Sequence, residues 1–216
     1  MNIASPTKQE QQKIGQKILE YMESEGMIIT PLNIVYIEGV DPIEEWFREN
    51  PDILDYWNDT RNLIADDGTF AMSAISTTEP GRYYTMQPMN PNGAARIAFG
   101  QHLDAWGFGI HGVSYPHEAL LQINPVRFYR DLNKDGFRTG DRIYVDVIGM
   151  NQHTTSNAPR MIELWSAGCL VGRYPSTHQE FIRLLKKTKK KTFHTTVLDG
   201  SLLHKRGILP PNPYKK

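Results

Sequence analysis

The stretch AARIAFGQHLDAWGFGIHGVSYPHEALLQINPVRFY, residues 94–129, decides the fold class of this chain. Short runs rich in aliphatic and aromatic residues alternate in it with Gly, Pro, Asn and Asp, the pattern of strands joined by turns. The same pattern extends outward over about residues 60 to 175. The runs predicted as strands are Phe70–Ile75, Arg82–Met86, Ala94–Phe99, Trp106–His111, Ala119–Ile123, Val126–Tyr129 and Arg142–Val147. This order predicts a mainly β, β-rich α+β domain with antiparallel strands, not alternating βα units.

Helices are predicted at the periphery of this β-rich segment. Residues 6–25 carry apolar positions at three-to-four spacing, and Gly26 supplies a stop. These apolar positions are Ile14, Ile18, Leu19 and Met22. A second short helix is predicted at 42–47, with Asp41 as N-cap. A third is predicted at 178–187, burying Phe181, Leu184 and Leu185.

The chain therefore divides into three predicted segments. Residues 1–32 are predicted to form an N-terminal helical extension, residues 33–190 the main β-rich domain, and residues 191–216 a basic C-terminal tail. The lysine-rich run 186–191 and the proline-rich end ILPPNPYKK predict a solvated face and an extended end. Attraction of the lysines to an anionic wall polymer or lipid surface is the alternative.

Composition and charge exclude some classes of protein. The 216 residues include 24 Lys plus Arg and 24 Asp plus Glu, so the formal net charge is zero and a dedicated nucleic-acid binder is not expected. No apolar run reaches the roughly 20 residues of a membrane span, so stable membrane insertion is not expected. The N-terminus lacks the apolar core of a secretory signal. We therefore expect synthesis in the cytoplasm, with delivery to the periplasm or cell wall by lysis or dedicated export.

The chain has one cysteine, Cys169, in the sequence Ser166-Ala167-Gly168-Cys169. A nucleophilic thiol needs a base, backbone donors for the developing oxyanion, and an open approach for the substrate carbonyl. Gly168 permits an unusual backbone and close approach. The amides of Gly168 and Cys169 are candidate oxyanion donors. His153, after an apolar strand, is the candidate base, and Ser166 either orients a neighbour or satisfies the turn.

The segment 148–173 resembles the active-site signature of the L,D-transpeptidase family of the YkuD type. In that family a histidine is followed, after a spacer, by Ser/Thr-X-Gly-Cys and then closely by an arginine. Cys169 lies 16 residues after His153, and Ser166, Gly168 and Cys169 match in order. Arg173 follows the cysteine by four residues, further than the family arginine does.

An upstream stretch supports the resemblance. Residues 77–84, TTEPGRYY, are similar to the family's Thr-Pro-X-Gly-X-Phe/Tyr hairpin, and Asn90-Pro91, Gly93-Ala94 and Phe99-Gly100 follow in family order. The resemblance spans about residues 70 to 180 and implies an L,D-transpeptidase-like β-sandwich or barrel. It implies a Cys169 thioester in acyl transfer or hydrolysis on peptidoglycan stem peptides, of the transpeptidase, carboxypeptidase or endopeptidase type, as in a phage-type lysis enzyme. The residues assigned to substrate binding are Arg173, Trp165, His111 and Tyr84.

A second histidine competes with His153 for the role of base. Residues 109–112, Gly-Ile-His-Gly, match the family text better than residues 151–153 do, but His111 lies 58 residues before Cys169. Spacing favours His153, because spacing controls strand register and therefore reach. His111 then lines the cleft, and His117, in the turn-like Tyr115-Pro116-His117, is expected to be structural.

Two stretches resemble metal sites only in part, so no cofactor and no metal site are predicted. Residues 131–141 begin like a calcium loop, with oxygen ligands at Asp131, Asn133 and Asp135, but Arg142 stands where a glutamate is required. A hairpin turn is favoured there. A histidine-rich stretch could serve a zinc-dependent amidase, although no zinc motif spacing is present. Its residues are His102, Asp104, His111, His117 and Glu118. The remaining alternative is a non-catalytic cell-wall-binding or virion structural module with a silent cysteine.

Overall fold

The computed structural model of the chain describes residues 4–211, and strands dominate it. The strands are β1 Leu32–Glu38, β2 Asp59–Ala65, β3 Phe70–Thr77, β4 Ala94–Ile97, β5 Gly100–His111, β6 His117–Gln122, β7 Val126–Asp131, β8 Arg142–Asp146, β9 Gln152–Thr154, β10 Leu170–Gly172 and β11 Thr192–Asp199. The helices are α1 Lys8–Ser24, α2 Arg82–Met86, α3 Pro175–Lys187 and α4 Gly200–Lys205. Two 3₁₀ turns lie at Ile43–Glu45 and Glu163–Trp165.

Eight strands close into a barrel in the order β1-β11-β5-β6-β9-β10-β3-β2. Two neighbouring pairs, β1 with β11 and β9 with β10, are parallel, and the other pairs are antiparallel. The three remaining strands form a second antiparallel sheet in the order β4-β7-β8. The predicted mainly β, mostly antiparallel architecture is therefore confirmed.

Helix α1 covers one side of the barrel. Its N-terminus has a capping box between Thr7 and Glu10, and its four predicted apolar positions are all buried. They pack with barrel residues such as Val35 and Ile64 in a core of their own. A Cβ on Gly15 would lie 2.0 Å from the carbonyl oxygen of Gly68, so only glycine allows the helix this close to the β2–β3 turn.

The inner core fills the barrel and extends beneath α3. Trp106 is fully buried there, and its indole N–H donates to the carbonyl oxygen of Met150 at 2.7 Å. Phe181 and Leu185 of α3 are buried in the same cluster, with Leu184 packed at its edge. The predicted helix at 178–187 and its buried face are thus confirmed. This core fixes β9 and the segment before it, which carry His153.

Two predicted elements differ in the structure. Arg82–Met86 is a short helix, α2, not a strand, because Gly81 accepts the Thr85 amide at 3.0 Å and starts a helical turn over two tyrosines of high strand propensity. The predicted helix at 42–47 is only the 3₁₀ turn Ile43–Glu45. Asp41 does not cap that turn, since its carboxylate binds the Arg48 guanidinium at 2.6 Å.

The tail predicted from residue 191 onward is also wrong in its first part. Thr192–Asp199 is strand β11, which pairs with β1 on one side and β5 on the other. Asp199 then caps helix α4, accepting the Leu202 amide at 3.1 Å. Strand β11 directly follows the lysine-rich run 186–191, and its central residues are buried. The last five residues of the proline-rich end, 212–216, lie outside the described residues.

Buried ion pairs tie the second sheet to the barrel. Arg96 of β4 is fully buried and pairs with Glu79, which follows β3, and with Asp131 of β7. Arg138, in the β7–β8 connection, makes two 2.6 Å bonds to the Glu38 carboxylate on β1. The carboxylates of Glu38 and Asp59 share the hydroxyl of Thr78. These contacts join residues of the second sheet and its β7–β8 connection to residues of the barrel.

The carboxylates of this cluster predict that stability falls as pH rises. Burial and the nearby Glu38 raise the pKa of Glu79 to about 8 and raise the pKa of Asp59 well above its ordinary value. The folded state therefore holds protons that the unfolded chain releases near pH 4. We expect the free energy of unfolding in urea to decrease between about pH 4 and pH 8.

Asp59→Asn removes one of these titrating groups and should flatten the pH slope, whatever its effect on absolute stability. The matched control is Asp66→Asn, an exposed position in the β2–β3 turn. Stability that rose steadily from pH 5 to pH 8 in the wild type would contradict the prediction.

Among the described residues, no helix is long and apolar enough to cross a membrane.

Candidate active site

Cys169 lies one residue before β10 and lines a cavity of about 570 Å³. The residue as a whole is partly exposed. The cavity has the size of a small-molecule site, for which about 300–1,000 Å³ is typical. The other lining residues are Met89, Asn90, Ala95, His111, Arg130, Ile148, Gly149, Met150, Ala167 and Gly168.

The turn before the cysteine is held by Ser166. Its hydroxyl accepts the Gly168 amide at 3.1 Å and donates to the Cys169 carbonyl oxygen at 2.8 Å. Gly168 has φ +127°, and a Cβ there would lie 2.6 Å from the carbonyl oxygen of Ala95. Glycine is therefore required at this position. Ser166 is fully buried and satisfies the turn, one of the two roles predicted for it.

Of the two amides predicted as oxyanion donors, the amide of Gly168 is not available. The Gly168 amide is committed to the Ser166 hydroxyl, so it does not point at a substrate oxygen. The Cys169 amide has no acceptor among residues 4–211. One backbone N–H at the nucleophile is thus available to a developing oxyanion.

His153 lies on the strand next to the nucleophile. In the parallel β9–β10 pair, His153 is opposite Val171, two residues after Cys169. The Cys169 thiol donates to the Gly149 carbonyl oxygen at 3.6 Å. The His153 ring is buried, and its Nδ1 lies 2.9 Å from the Thr154 carbonyl oxygen. A carbonyl can only accept, so Nδ1 carries the proton and Nε2 keeps its lone pair. This is the tautomer that a general base requires.

His111 holds the opposite tautomer. The Asn151 amide is oriented by the Gln122 N–H, which donates to Asn151 Oδ1 at 2.8 Å. Its amino group therefore faces His111 Nδ1, 3.1 Å away, and the His111 proton lies on Nε2. The His111 and His153 rings stack with centroids 3.9 Å apart. His111 lines the Cys169 cavity as an N–H donor, while His153 supplies the proton acceptor.

Two more imidazoles flank this pair and are held by backbone groups. His117 Nε2 accepts the Thr154 amide at 3.3 Å, and its Nδ1 lies 2.8 Å from the Tyr115 carbonyl oxygen. His178 lies between the Glu118 carbonyl oxygen and the Arg61 guanidinium. Both ring nitrogens of His117 are thus hydrogen-bonded to the backbone, which agrees with the structural role expected for it.

The resting thiol and imidazole are both neutral. Desolvation raises the pKa of the Cys169 thiol to about 11, offset only in part by a hydrogen bond with the Asn151 backbone. Burial, together with the neighbouring His111, lowers the pKa of His153 to about 3. A preformed thiolate–imidazolium pair is therefore disfavoured, and the readily ionised thiol predicted from the sequence is not what the resting structure holds.

The raised thiol pKa makes a direct prediction for alkylation. Because Cys169 is the single cysteine, iodoacetamide labelling reports on it alone. A thiol of pKa about 11 instead of the ordinary 9.0 has about 100-fold less thiolate at pH 7, so we expect labelling slower by about that factor than in the urea-unfolded chain. The folded rate should increase up to about pH 11. Fast labelling at pH 7 in the folded protein would contradict the assigned pKa.

The remaining predicted substrate residues lie outside the Cys169 cavity lining. Arg173 donates to the Pro159 carbonyl oxygen at 3.0 Å and stacks on Tyr174. Trp165 ends the 3₁₀ turn before Ser166, and Tyr84 lies on α2 against Tyr83. Helix α2 reaches the nucleophile turn only through its N-terminus, where the Gly81 amide donates to the Ser166 carbonyl oxygen at 2.9 Å.

Arg130 is the residue that sequence reasoning missed. It is the one charged side chain among the described residues that line the Cys169 cavity. It lies on β7, and its Nη1 donates to the Gly93 carbonyl oxygen at 3.1 Å, which anchors the guanidinium at the cavity wall. No motif marks it, because only the packing of the second sheet against the barrel brings β7 to the cysteine.

The calcium-like loop and the histidine-rich stretch both use their side chains in internal hydrogen bonds. Residues 131–141 connect the antiparallel strands β7 and β8, as the favoured hairpin reading predicted. The Asp131 carboxylate is used internally, since it accepts the Asp135 and Gly136 amides. The histidine-rich stretch does not converge: His102 bonds to Ala98, and Asp104 lies by His194. Within residues 4–211, no group of three or more His, Cys, Asp or Glu side chains is arranged to hold a metal ion.

Comparison with known proteins identifies no relative: no family model matches the chain, and no curated protein or solved structure matches it either.

Proposed function

We propose that the chain is a cysteine-dependent acyl-transfer enzyme with Cys169 as nucleophile and His153 as base. The observation that carries this proposal is a cysteine in the wall of a cavity, with His111 on the same wall and His153 stacked on His111. His153 offers a lone pair on Nε2, and His111 offers an N–H on the wall of the same cavity as Cys169. A Cys–His site needs both a proton acceptor and donors for the oxyanion.

The chemistry follows from the neutral resting pair. The sulfur attacks the substrate carbonyl carbon while His153 Nε2 takes the thiol proton, so charge develops only as the bond forms. The Cys169 amide faces the developing oxyanion. When the tetrahedral species collapses, His153 gives its proton to the leaving amine, and a thioester remains. Water or a second amine then attacks the thioester, losing its proton to His153 and restoring the thiol.

The particular substrate we propose is the stem peptide of peptidoglycan. The motif resemblance around residues 77–84 and 148–173 supports this class, and Arg130 supplies a feature that fits it. A single guanidinium in an otherwise uncharged cavity favours an acyl donor with a free carboxylate near the scissile bond. Stem peptides contain D-amino acid centres and free carboxylates, so they fit both the motif resemblance and the single guanidinium of the cavity.

Arg130→Met tests this assignment. Loss of a charge-assisted hydrogen bond is expected to raise KM for stem peptides by about 10- to 100-fold, with kcat changed little. Arg173→Met is the matched control, since that arginine lies outside the cavity, and it should leave KM unchanged. Steady-state kinetics measure both. An unchanged KM in Arg130→Met would remove the carboxylate assignment.

The test of the function itself is incubation of the purified protein with isolated peptidoglycan, followed by mass spectrometry of the muropeptides. We expect altered stem peptides, shortened if water resolves the thioester and cross-linked or exchanged if an amine does. Cys169→Ala, purified in parallel, controls for contaminating enzymes. A wild-type profile identical to that of Cys169→Ala would overturn the proposal.

One observation favours a second candidate, a non-catalytic wall-binding module with a silent cysteine. The high thiol pKa and the neutral His153 are what an unused buried thiol shows. The two candidates separate in a co-sedimentation assay with insoluble peptidoglycan. Binding without any change in muropeptides, at equal strength in the wild type and Cys169→Ala, supports the module.

A further inference from the structure

A second cavity, of about 630 Å³, lies where the C-terminal end of α3, the start of β11 and the loop before β1 meet. It shares no lining residue with the Cys169 cavity. Its volume is in the range of about 300–1,000 Å³ that ligand sites occupy. The lining residues fall into two groups of different chemistry.

The floor of this cavity is apolar. It is made by side chains from the loop before β1, from β1 and β3, from α3 and from β11. These residues are Pro31, Leu32, Ala71, Leu184 and Phe193. An apolar floor open to solvent gains free energy when a hydrocarbon group covers it.

The rim of the cavity is cationic. Lys187, Lys190 and Lys191 all line it and are exposed. None of the three has an ion-pair partner among residues 4–211, whereas the adjacent Lys186 pairs with Glu118. A role in stabilising the C-terminal end of a helix accounts for Lys187 but not for Lys190 and Lys191, which follow the helix.

The one carboxylate in the lining does not neutralise this rim. Asp104 accepts the Thr192 hydroxyl at 2.6 Å and lies 3.5 Å from His194. Its charge is therefore directed at β11 residues instead of at the lysines. Three ammonium groups beside an apolar floor are complementary to an anion that carries a hydrocarbon part.

We propose that this cavity binds a single-chain anionic amphiphile. The alkyl chain lies on the apolar floor, and a phosphate or carboxylate head group is held by the three lysines. The proposal commits to a monomeric ligand that enters a concave site, not to a flat membrane surface. It is independent of the function proposed for Cys169.

The test is calorimetric titration of the full chain with dodecyl phosphate below its micellar concentration. We expect one site per chain, with affinity that weakens as salt increases. The triple variant Lys187→Ala/Lys190→Ala/Lys191→Ala should raise the dissociation constant by about tenfold or more. The matched control, Lys8→Ala/Lys13→Ala/Lys17→Ala, removes three exposed lysines of α1 and should leave it unchanged.

A second variant tests the apolar part without changing charge. Ala71 is exposed at the cavity, so Ala71→Trp fills the floor and should abolish binding while the circular dichroism spectrum is retained. Equal affinity for inorganic phosphate overturns the proposal, because it would show a plain anion site. Equal affinity for dodecyltrimethylammonium also overturns it. Binding only to phosphatidylglycerol vesicles, with none to dodecyl phosphate, overturns it in favour of membrane attachment.

Discussion

Replacing His153 with alanine is expected to lower kcat/KM on stem peptides by about 1,000-fold, since a positioned base contributes about 10² to 10⁴. The loss should appear in kcat, because the buried ring does not line the substrate cavity. The tautomers set this expectation: Nε2 of His153 has the free lone pair, whereas His111 Nε2 carries a proton. Steady-state kinetics of purified variants measure it.

His111→Gln is the informative comparison. Glutamine can still offer an N–H to the cavity, so we expect a smaller loss, mainly in KM. His204→Gln is the control for general destabilisation. His204 lies on α4 and is hydrogen-bonded to the Phe47 carbonyl oxygen. A full loss in His111→Gln together with near wild-type kcat in His153→Ala would reverse the assignment of the base.

Arg96→Met is expected to reduce the free energy of unfolding by about 3–5 kcal/mol, because it leaves two buried carboxyl groups without their cationic partner. Methionine is close to arginine in length, so little volume is lost at this fully buried site. Glu79 and Asp131 would then lose the guanidinium that both of them contact. Urea unfolding at pH 7 measures the change.

The control for this prediction is Arg183→Met, which removes a guanidinium paired with Glu180 on the exposed face of α3. It should have little effect, because exposed ion pairs contribute little to stability. Equal stability of Arg96→Met and the wild type would mean that the buried cluster is not needed to join the second sheet to the barrel.

Local patterns in the sequence were enough to predict helix α1 and six of the seven runs expected as strands in the central region. Each of these elements buries residues at its own period, as Ile14, Ile18 and Met22 do on α1. Strand β2 was missed because its buried half is polar: Asp59, Arg61 and Asn62 are all inside. Their burial depends on partners far away in the chain, such as His178 for Arg61, and no local pattern reveals it.

The candidate site was predictable to the extent that it lies on two adjacent strands. The 16-residue spacing of His153 and Cys169 spans the parallel pair β9–β10, in which His153 is opposite Val171. Arg130 and the Asn151–His111 bond depend on how separate hairpins pack, so spacing does not encode them. Protonation was not predictable either, because the thiol pKa reflects desolvation by distant residues.

The pairing of β1 with β11 has a consequence for biosynthesis. Ile34 is opposite Thr195, which lies 161 residues later in the chain (195 − 34). The barrel cannot seal on a ribosome-bound fragment that lacks residues 192–199, and contacts of such long sequence separation slow folding. Until residues 192–199 are synthesised, a nascent chain would therefore leave the edges of β1 and β5 that pair with β11 without their partner strand.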